Sequence, residues 1–261
     1  MLRGLYSSAT GMKAQELLID VTANNLANVN TTGFKRSQLN FADQLYSTLQ
    51  AAGSEVTAGQ PAPVGLQVGS GVRPSGTTKL FTPGSIEQTN NSLDVAIQGD
   101  GFFAITMPAG GERYTRDGAF RLNAEGTLVT MGGFPLTDQI TIPAGASKIN
   151  VGQDGTVSFA DEAGDIQNAG TLQLTRFPNP AGLSSEGDNM YAKTVASGEP
   201  LTSQPGQQGA GILLGGQLER SNVLVVSELI QLITAQRAYE INSRAIRAGD
   251  EMLSTTTDIV R

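Results

Sequence analysis

The side chains in this sequence that could do chemistry are carboxylates, lysines, tyrosines and hydroxyls; neither His nor Cys occurs among the 261 residues. That removes thiolate nucleophiles and disulfides, the commonest metal ligand and the commonest general base. The nearest things to a catalytic carboxylate pair are Asp161 with Glu162 and Asp94 with Asp100. Both are flanked by turn residues, and no Gly-x-Ser-x-Gly elbow accompanies them. Lysine and tyrosine bases stay open on these grounds. Asp100-Gly101, Asp117-Gly118, Glu125-Gly126 and Asp154-Gly155 invite a calcium reading, but no Asp-x-Asp-x-Asp-Gly loop with a twelfth-position Glu exists, and glycine supplies the positive φ of tight turns. Gly69-Ser70-Gly71 lacks the preceding strand, the following helix and the third glycine of a nucleotide loop. The inventory predicts no enzyme, no cofactor and no metal.

The elements around these residues are therefore read for assembly. The net charge is −7. Residues 1–36 hold four Lys/Arg against two Asp/Glu and residues 217–261 five against six, so the acidity lies in the middle of the chain, which disfavours nucleic acid. No apolar run reaches the roughly twenty residues of a membrane span, and no signal-peptide pattern is visible, which predicts no membrane insertion. Aromatic residues are few, Trp is absent and Gly fills 32 positions, as expected of many turns and modest cores.

A first helix is predicted from Leu2 to about Asn28, with Asn28, Asn30 and Gly33 as its stop. Leu2, Leu5, Ala9, Met12, Glu16, Ile19, Ala23 and Leu26 form a heptad-type seam with one acidic break. Gly4 and Gly11 each cost about 1 kcal/mol against Ala in a helix, so something must approach closely there. Asn24, Asn25 and Asn28 are poor helix formers, and either bond across to neighbouring chains or mark a fraying end. A last helix is predicted from near Val223, capped by Ser221 and Asn222, to about Thr257, roughly 50 Å long. One stripe on it is Val225, Leu232, Tyr239, Ile246 and Leu253, with Leu229 beside it; a second is Ala238, Ile241, Ala245, Ala248 and Met252. Two apolar stripes require two kinds of neighbour.

Between the helices, residues 37–85 read as an extended linker, with an aperiodic Ala/Gly/Ser/Pro stretch from Ala51 to Pro63. From Phe81 to about Leu214 short apolar runs at 93–97, 102–105, 127–129, 156–159 and 172–175 alternate with turn signals and predict antiparallel hairpins in a sandwich or open barrel. The expected class is α+β: long N- and C-terminal helices forming a coiled-coil-like inner layer (1–36 and 219–261), a linker (37–85) and a mainly antiparallel β domain (86–218). Helices with unmatched seams are expected to order on assembly, and heterologous contacts that do not close generate helical filaments.

The segment Ala23-Asn24-Asn25-Leu26-Ala27-Asn28-Val29-Asn30-Thr31-Thr32-Gly33-Phe34-Lys35-Arg36 closely resembles the amino-terminal signature of bacterial flagellar axial proteins, the rod, hook and hook-filament junction subunits. Residues 88–103, Tyr114–Phe120 and Gln231–Arg244 resemble the family's core and carboxyl-terminal motifs. The opening Met1-Leu2-Arg3-Gly4-Leu5-Tyr6 and the length look like its distal-rod branch. Signature positions carried over are Asn24, Asn25, Leu26, Ala27, Asn28, Thr32, Gly33 and Phe34. The stretch 46–66, with Tyr46, Pro61, Pro63, Gly65 and Leu66, occupies the place of an insertion thought to stiffen the distal rod. The resemblance implies a rigid hollow helical homopolymer that carries torque from motor to hook, forms part of the export channel and crosses the periplasm. It also implies contacts with proximal rod proteins, hook protein, the P-ring and L-ring proteins and the flagellar type III export apparatus. Two alternatives stay open: another axial protein of the family, proximal rod or hook, and an exported oligomeric β binding module.

Overall fold

The computed structural model describes residues 2–53, 55–57, 60–61, 63–108, 110–143, 145–161 and 164–259; Glu162 and the side chains of Leu2, of 55–57, of Gln60 and Pro61 and of 256–259 lie outside that description. The chain divides into two units, Met1–Leu26 with Ser37–Thr78 and Val225–Arg261, and Ala27–Arg36 with Lys79–Leu224. The predicted terminal domain 1–36 with 219–261 is thus drawn differently, because residues 27–36 and 219–224 cluster with the β unit.

In the first unit, helices α1 (Leu2–Ala27) and α2 (Val225–Ile259) touch in antiparallel fashion. Asn25 Nδ2 lies 3.2 Å from Glu228 Oε2. A Cβ on Gly11 would stand 3.0 Å from Asn242 Nδ2, and one on Gly249 2.5 Å from Leu5 Cδ2. The numbers of each pair add to 253 or 254, so the same register sets Leu18 opposite Ala235, which is 1% exposed. On α2 the positions that meet α1 therefore recur every seven residues as Glu228, Ala235, Asn242 and Gly249. Three of the four are small or amide side chains, and glycines at the contact let two backbones come close.

The predicted linker is a correction. Residues 37–79 form β1 (Ser37–Asp43), β2 (Tyr46–Gln50), β3 (Glu55–Thr57), β4 (Gln60–Pro61), β5 (Leu66–Gly69) and β6 (Val72–Lys79). β1 pairs β6, β2 pairs β5 and β3 pairs β4, which makes one nested two-stranded ribbon. The β1/β6 pair is antiparallel, since Gln44 N–H donates to Gly71 O at its far end and Asn40 Nδ2 reaches Thr78 Oγ1 at its near end. The composition misled because both faces of a two-stranded ribbon meet solvent, so no apolar alternation marks the strands. A bulge between Thr48 and Gln50 interrupts the register, and Gly65 lies so close that a Cβ there would stand 2.9 Å from Ala52 N and Gln50 O.

The second unit holds β7 (Ile86–Gln88), β8 (Val95–Gln98), β9 (Phe103–Thr106), β10 (Glu112–Thr115), β11 (Arg121–Leu122), β12 (Leu128–Val129), β13 (Ser147–Val151), β14 (Thr156–Ala160) and β15 (Ile166–Thr171), then β16 (Leu174–Arg176), β17 (Ser184–Gly187), β18 (Met190–Ala192), β19 (Leu201–Ser203), β20 (Ile212–Gly215) and β21 (Gln217–Glu219). Its largest sheet is β17-β18-β10-β9; β13-β14-β15 is a second, and β8/β20, β7/β21, β16/β19 and β11/β12 are pairs, all antiparallel. These are several small sheets rather than two large layers. Phe102 and Phe103 point to opposite sides, as neighbours on a strand must. Phe103 enters a core with Ile97, Phe120, Leu136, Val157, Leu172 and Leu213; Phe102 enters a second with Tyr114, Phe177, Leu183 and Tyr191, whose rings meet edge to face.

The acidic-Gly pairs do not all act alike. Gly126 (φ 78) and Gly155 (φ 87) turn the β11/β12 and β13/β14 hairpins. Gly101 (φ 143) instead links β8 to β9, which lie in different sheets. Gly118 is needed for space, since a Cβ there would stand 1.7 Å from Val95 O.

Candidate functional site

Asn25 is the signature residue that the fold uses most inside its own unit. Its Nδ2 donates to Ser37 O at 2.8 Å, and its Oδ1 accepts the Ser37 N–H at 2.9 Å, so one amide copies a strand's pairing and pins the start of β1 to the end of α1. The same Nδ2 faces the Glu228 carboxylate, and both residues are 1% exposed. Asn25 is therefore engaged within the chain, in neither a frayed end nor a bond to another subunit. Asn28 Oδ1 accepts from Thr31 Oγ1 in the turn after α1.

The rest of the signature lies in the second unit. Thr32 Oγ1 donates to Asp117 Oδ1 at 2.8 Å, and Asn189 Nδ2 donates to Thr32 O at 2.9 Å. Gly33 has φ 66, and a Cβ on it would stand 2.6 Å from Asp117 N; its N–H donates to Glu219 O at 2.8 Å. Phe34 is buried under the Lys79 ammonium, 4.9 Å from its ring centre. Lys35 is fully buried, with Nζ 2.6 Å from Glu219 Oε1 and 2.9 Å from Thr82 O. The Arg36 N–H donates to Asn222 Oδ1, and Asn222 Nδ2 donates to Leu80 O and Thr82 O. Asn222 is thus occupied by neighbouring segments and does not cap α2; Ser221 Oγ accepts the Val223 N–H, and the helix starts at Val225.

Arg116 is buried beside this group. Its two terminal nitrogens donate to Gly99 O at 2.8 and 2.7 Å, and its Nε lies 3.8 Å from Glu219 Oε2. Burial, then the Arg116 charge, pulls the Lys35 pKa down against the opposing pull of Glu219. Burial pushes the Asp117 carboxyl up, opposed by the donors of Thr32 and Ala119.

The predicted packing stripes divide by exposure. On α1, Leu5, Met12, Ile19 and Leu26 are half-buried, while Ala9 and Ala23 are exposed. The residues of α1 that are fully buried are Ala14, Thr22 and Asn25, on a different face. Gly11 is the close approach that its cost demanded; Gly4 has nothing within 4 Å. On α2, Leu232, Ala238, Ile246 and Leu253 are half-buried, and Val225, Leu229, Tyr239, Ile241, Ala245, Ala248 and Met252 are exposed. Val226, Ile230 and Ile233 are exposed with them, 71%, 60% and 49%. On the ribbon Tyr46, Pro63 and Leu66 are exposed and Gly65 is half-buried; the Pro61 side chain is among those not described.

Sequence reasoning missed Glu219, Arg116, Asn222, Glu228 and the buried role of Lys35. Buried charges carry no periodic signal, because hydrophobic patterning counts them as surface. The seven-residue spacing of Glu228, Ala235, Asn242 and Gly249 was present, yet a search for apolar residues passes over it.

No catalytic arrangement emerges. Among the described residues no group of three or more Asp or Glu could hold a metal ion, and no helix is long and apolar enough to cross a membrane. A cavity of about 520 Å³ is lined by Asn28, Thr31, Asp117, Phe134, Asn189 and Met190 among others. Its polar groups are engaged with each other: Thr115 Oγ1 donates to Asn189 O and accepts the Asp117 N–H.

Three family models match the chain. One described as flagella basal body rod protein matches residues 5–35, one as flagellar hook protein FlgE/F/G D1 domain residues 96–159, and one as flagellar basal body rod FlgEFG protein C-terminal residues 214–259. The flagellar basal-body rod protein FlgG of Borreliella burgdorferi is 41% identical over 264 residues, covering all of both chains. That of Bacillus subtilis is 38% identical over 269 residues, again covering both completely, and the same organism's flagellar hook-basal body complex protein FlhP is 30% identical. FlgG of Buchnera aphidicola subsp. Schizaphis graminum is 44% identical across 99% of this chain and all of its own length, and with identity sustained from end to end this chain belongs to the flagellar basal-body rod protein family.

Proposed function

We propose that the chain is a structural subunit of the distal rod, polymerising into a rigid hollow tube that carries torque to the hook and forms part of the export channel. The observation that carries this reading is the exposed stripe Val226, Leu229, Ile230, Ile233 and Ile241, which α2 keeps after Glu228, Ala235, Asn242 and Gly249 have turned to α1. An apolar stripe of that length fits a second copy's helices, in the coiled-coil-like inner layer that the terminal helices would build. Leu2, Leu5, Ala9, Met12, Ile19, Ala23 and Leu26 on α1, and Val225, Tyr239, Ala245 and Met252 on α2, would contribute to the same layer.

The ribbon takes the stiffening role in this proposal. Tyr46, Leu49, Val64 and Leu66 are exposed on it, more apolar surface than a two-stranded ribbon keeps in water without a partner. The tube would adjoin proximal rod proteins and hook protein at its ends and the P-ring and L-ring proteins at its sides, with delivery through the flagellar type III export apparatus.

The test is sedimentation and electron microscopy of wild type beside Ile230→Lys/Ile233→Lys. Wild type is expected to form tubes, and the variant to stay monomeric with helix content unchanged by circular dichroism. A wild-type chain that stops at a closed trimer of fixed mass would replace the tube by the oligomeric β module. Tubes from the variant would remove α2's stripe from the interface.

A further inference from the structure

The chain crosses the boundary of the second unit near Arg36, Lys79 and Leu224, and next to each crossing lies a segment that touches Glu219. The Gly33 N–H donates to its backbone O, and the Gly84 N–H donates to its Oε1 at 2.9 Å. Lys35 Nζ meets the same Oε1 at 2.6 Å and also holds Thr82 O. On the third segment Arg220 N–H returns to Ser85 O and Asn222 ties Arg36 to Leu80 and Thr82. Glycine is required twice here. A Cβ on Gly84 would stand 1.9 Å from Arg220 O, and one on Gly33 would strike the Arg116–Asp117 backbone.

The charges of this group do not balance. Lys35 and Arg116 are two cations with side chains 0% and 1% exposed, and the one buried carboxylate near both, among the described residues, is Glu219. Asp100 acts on Arg116 as well, but from an exposed position where water screens it. A buried ion lacking its counter-charge is far costlier than a balanced pair removed whole.

We propose that Glu219 is the positioning residue that locks the three crossings into one body, serving as common counter-ion to Lys35 and Arg116. Its consequence for the assembled protein, that torque applied to the terminal helices reaches the β unit without the crossings shearing, rests on the rod reading; the lock itself does not.

The experiment is amide hydrogen exchange on the full chain at dilute concentration, comparing wild type, Glu219→Gln, Lys35→Met and the double variant. Glu219→Gln keeps the shape and leaves two buried cations, so exchange at Gly33, Gly84 and Arg220 should accelerate at least about tenfold while Ile97 and Leu213 in the core stay protected. Lys35→Met leaves a balanced Arg116–Glu219 pair and should be milder. The double variant should exchange more slowly at those three amides than Glu219→Gln alone, because one of the stranded cations has gone. Additive effects, or acceleration spread equally over Ile97 and Leu213, would overturn the proposal. Should Glu219→Gln fail to fold, Glu219→Asp keeps the charge with a shorter reach and must reproduce the local pattern more weakly; uniform loosening there would also overturn it. A wild-type chain that shows the local pattern yet never polymerises would sink the rod reading and leave the lock standing.

Discussion

The residues that matter most are polar ones placed where water cannot reach. Asn25 serves three partners with one amide, so Asn25→Leu should cost about 1–3 kcal/mol, the usual penalty for leaving buried groups unpaired, here Glu228 and the Ser37 backbone. Asn25→Asp should cost more, because it faces one buried carboxylate with another. Urea denaturation of the full chain at neutral pH measures both, and equal losses would mean the Glu228 contact contributes nothing. Asp117 makes a pH-dependent prediction. Its folded pKa is raised above 3.8, so the folded chain binds the extra proton, and this contribution is complete below 3.8 and lost as pH rises through the folded value. Relative to Asp117→Asn, wild type should therefore lose stability on going upward from pH 3.8. Melting temperatures across that range would show it, and a flat difference would refute it. Asp138, raised for the same reason of burial, works in the same direction.

At the scale of elements, the two glycines of α1 make opposite predictions from one residue type. Gly4 has nothing around it, so Gly4→Ala should stabilise by about 0.5–1 kcal/mol through helix propensity alone. Gly11 faces Asn242, so Gly11→Leu should force the helices apart and lower the melting temperature of the helical signal. If both substitutions act alike, the close approach at Gly11 is not a constraint. The helices were legible in the sequence because 26 and 35 residues of pattern outweigh local noise. The β runs were legible as well: 93–97 became β8 and 156–159 became β14, each displaced by a residue or two. What could not be read was which face of α1 turned inward, since Ala14, Thr22 and Asn25 are less apolar than the residues they displaced from the core. The ribbon was also invisible, because strands wet on both sides have no alternation to show.

For the whole molecule, deleting residues 46–66 should leave β1 paired with β6 and the fold intact, while tubes become curved or more flexible if the ribbon braces neighbours. Electron microscopy of the assembled variant decides this, and straight tubes of unchanged stiffness would return the ribbon to a spacer. Circular dichroism with limited proteolysis on dilute chain gives a second expectation: helix content should rise on assembly, and α2's exposed stripe should be cut until copies cover it. Full helicity and protection in the monomer would count against assembly-driven folding. The α1–α2 register has one more consequence. Sliding one helix past the other by a heptad, roughly 10 Å at 1.5 Å per residue, would set Glu228 against Leu18 and Asn25 against Ala235, stranding a carboxylate and an amide in an apolar slot. The two polar layers thus act as the notches of a ratchet, so that each subunit clicks into one length and a stack of identical subunits keeps a constant rise under axial load.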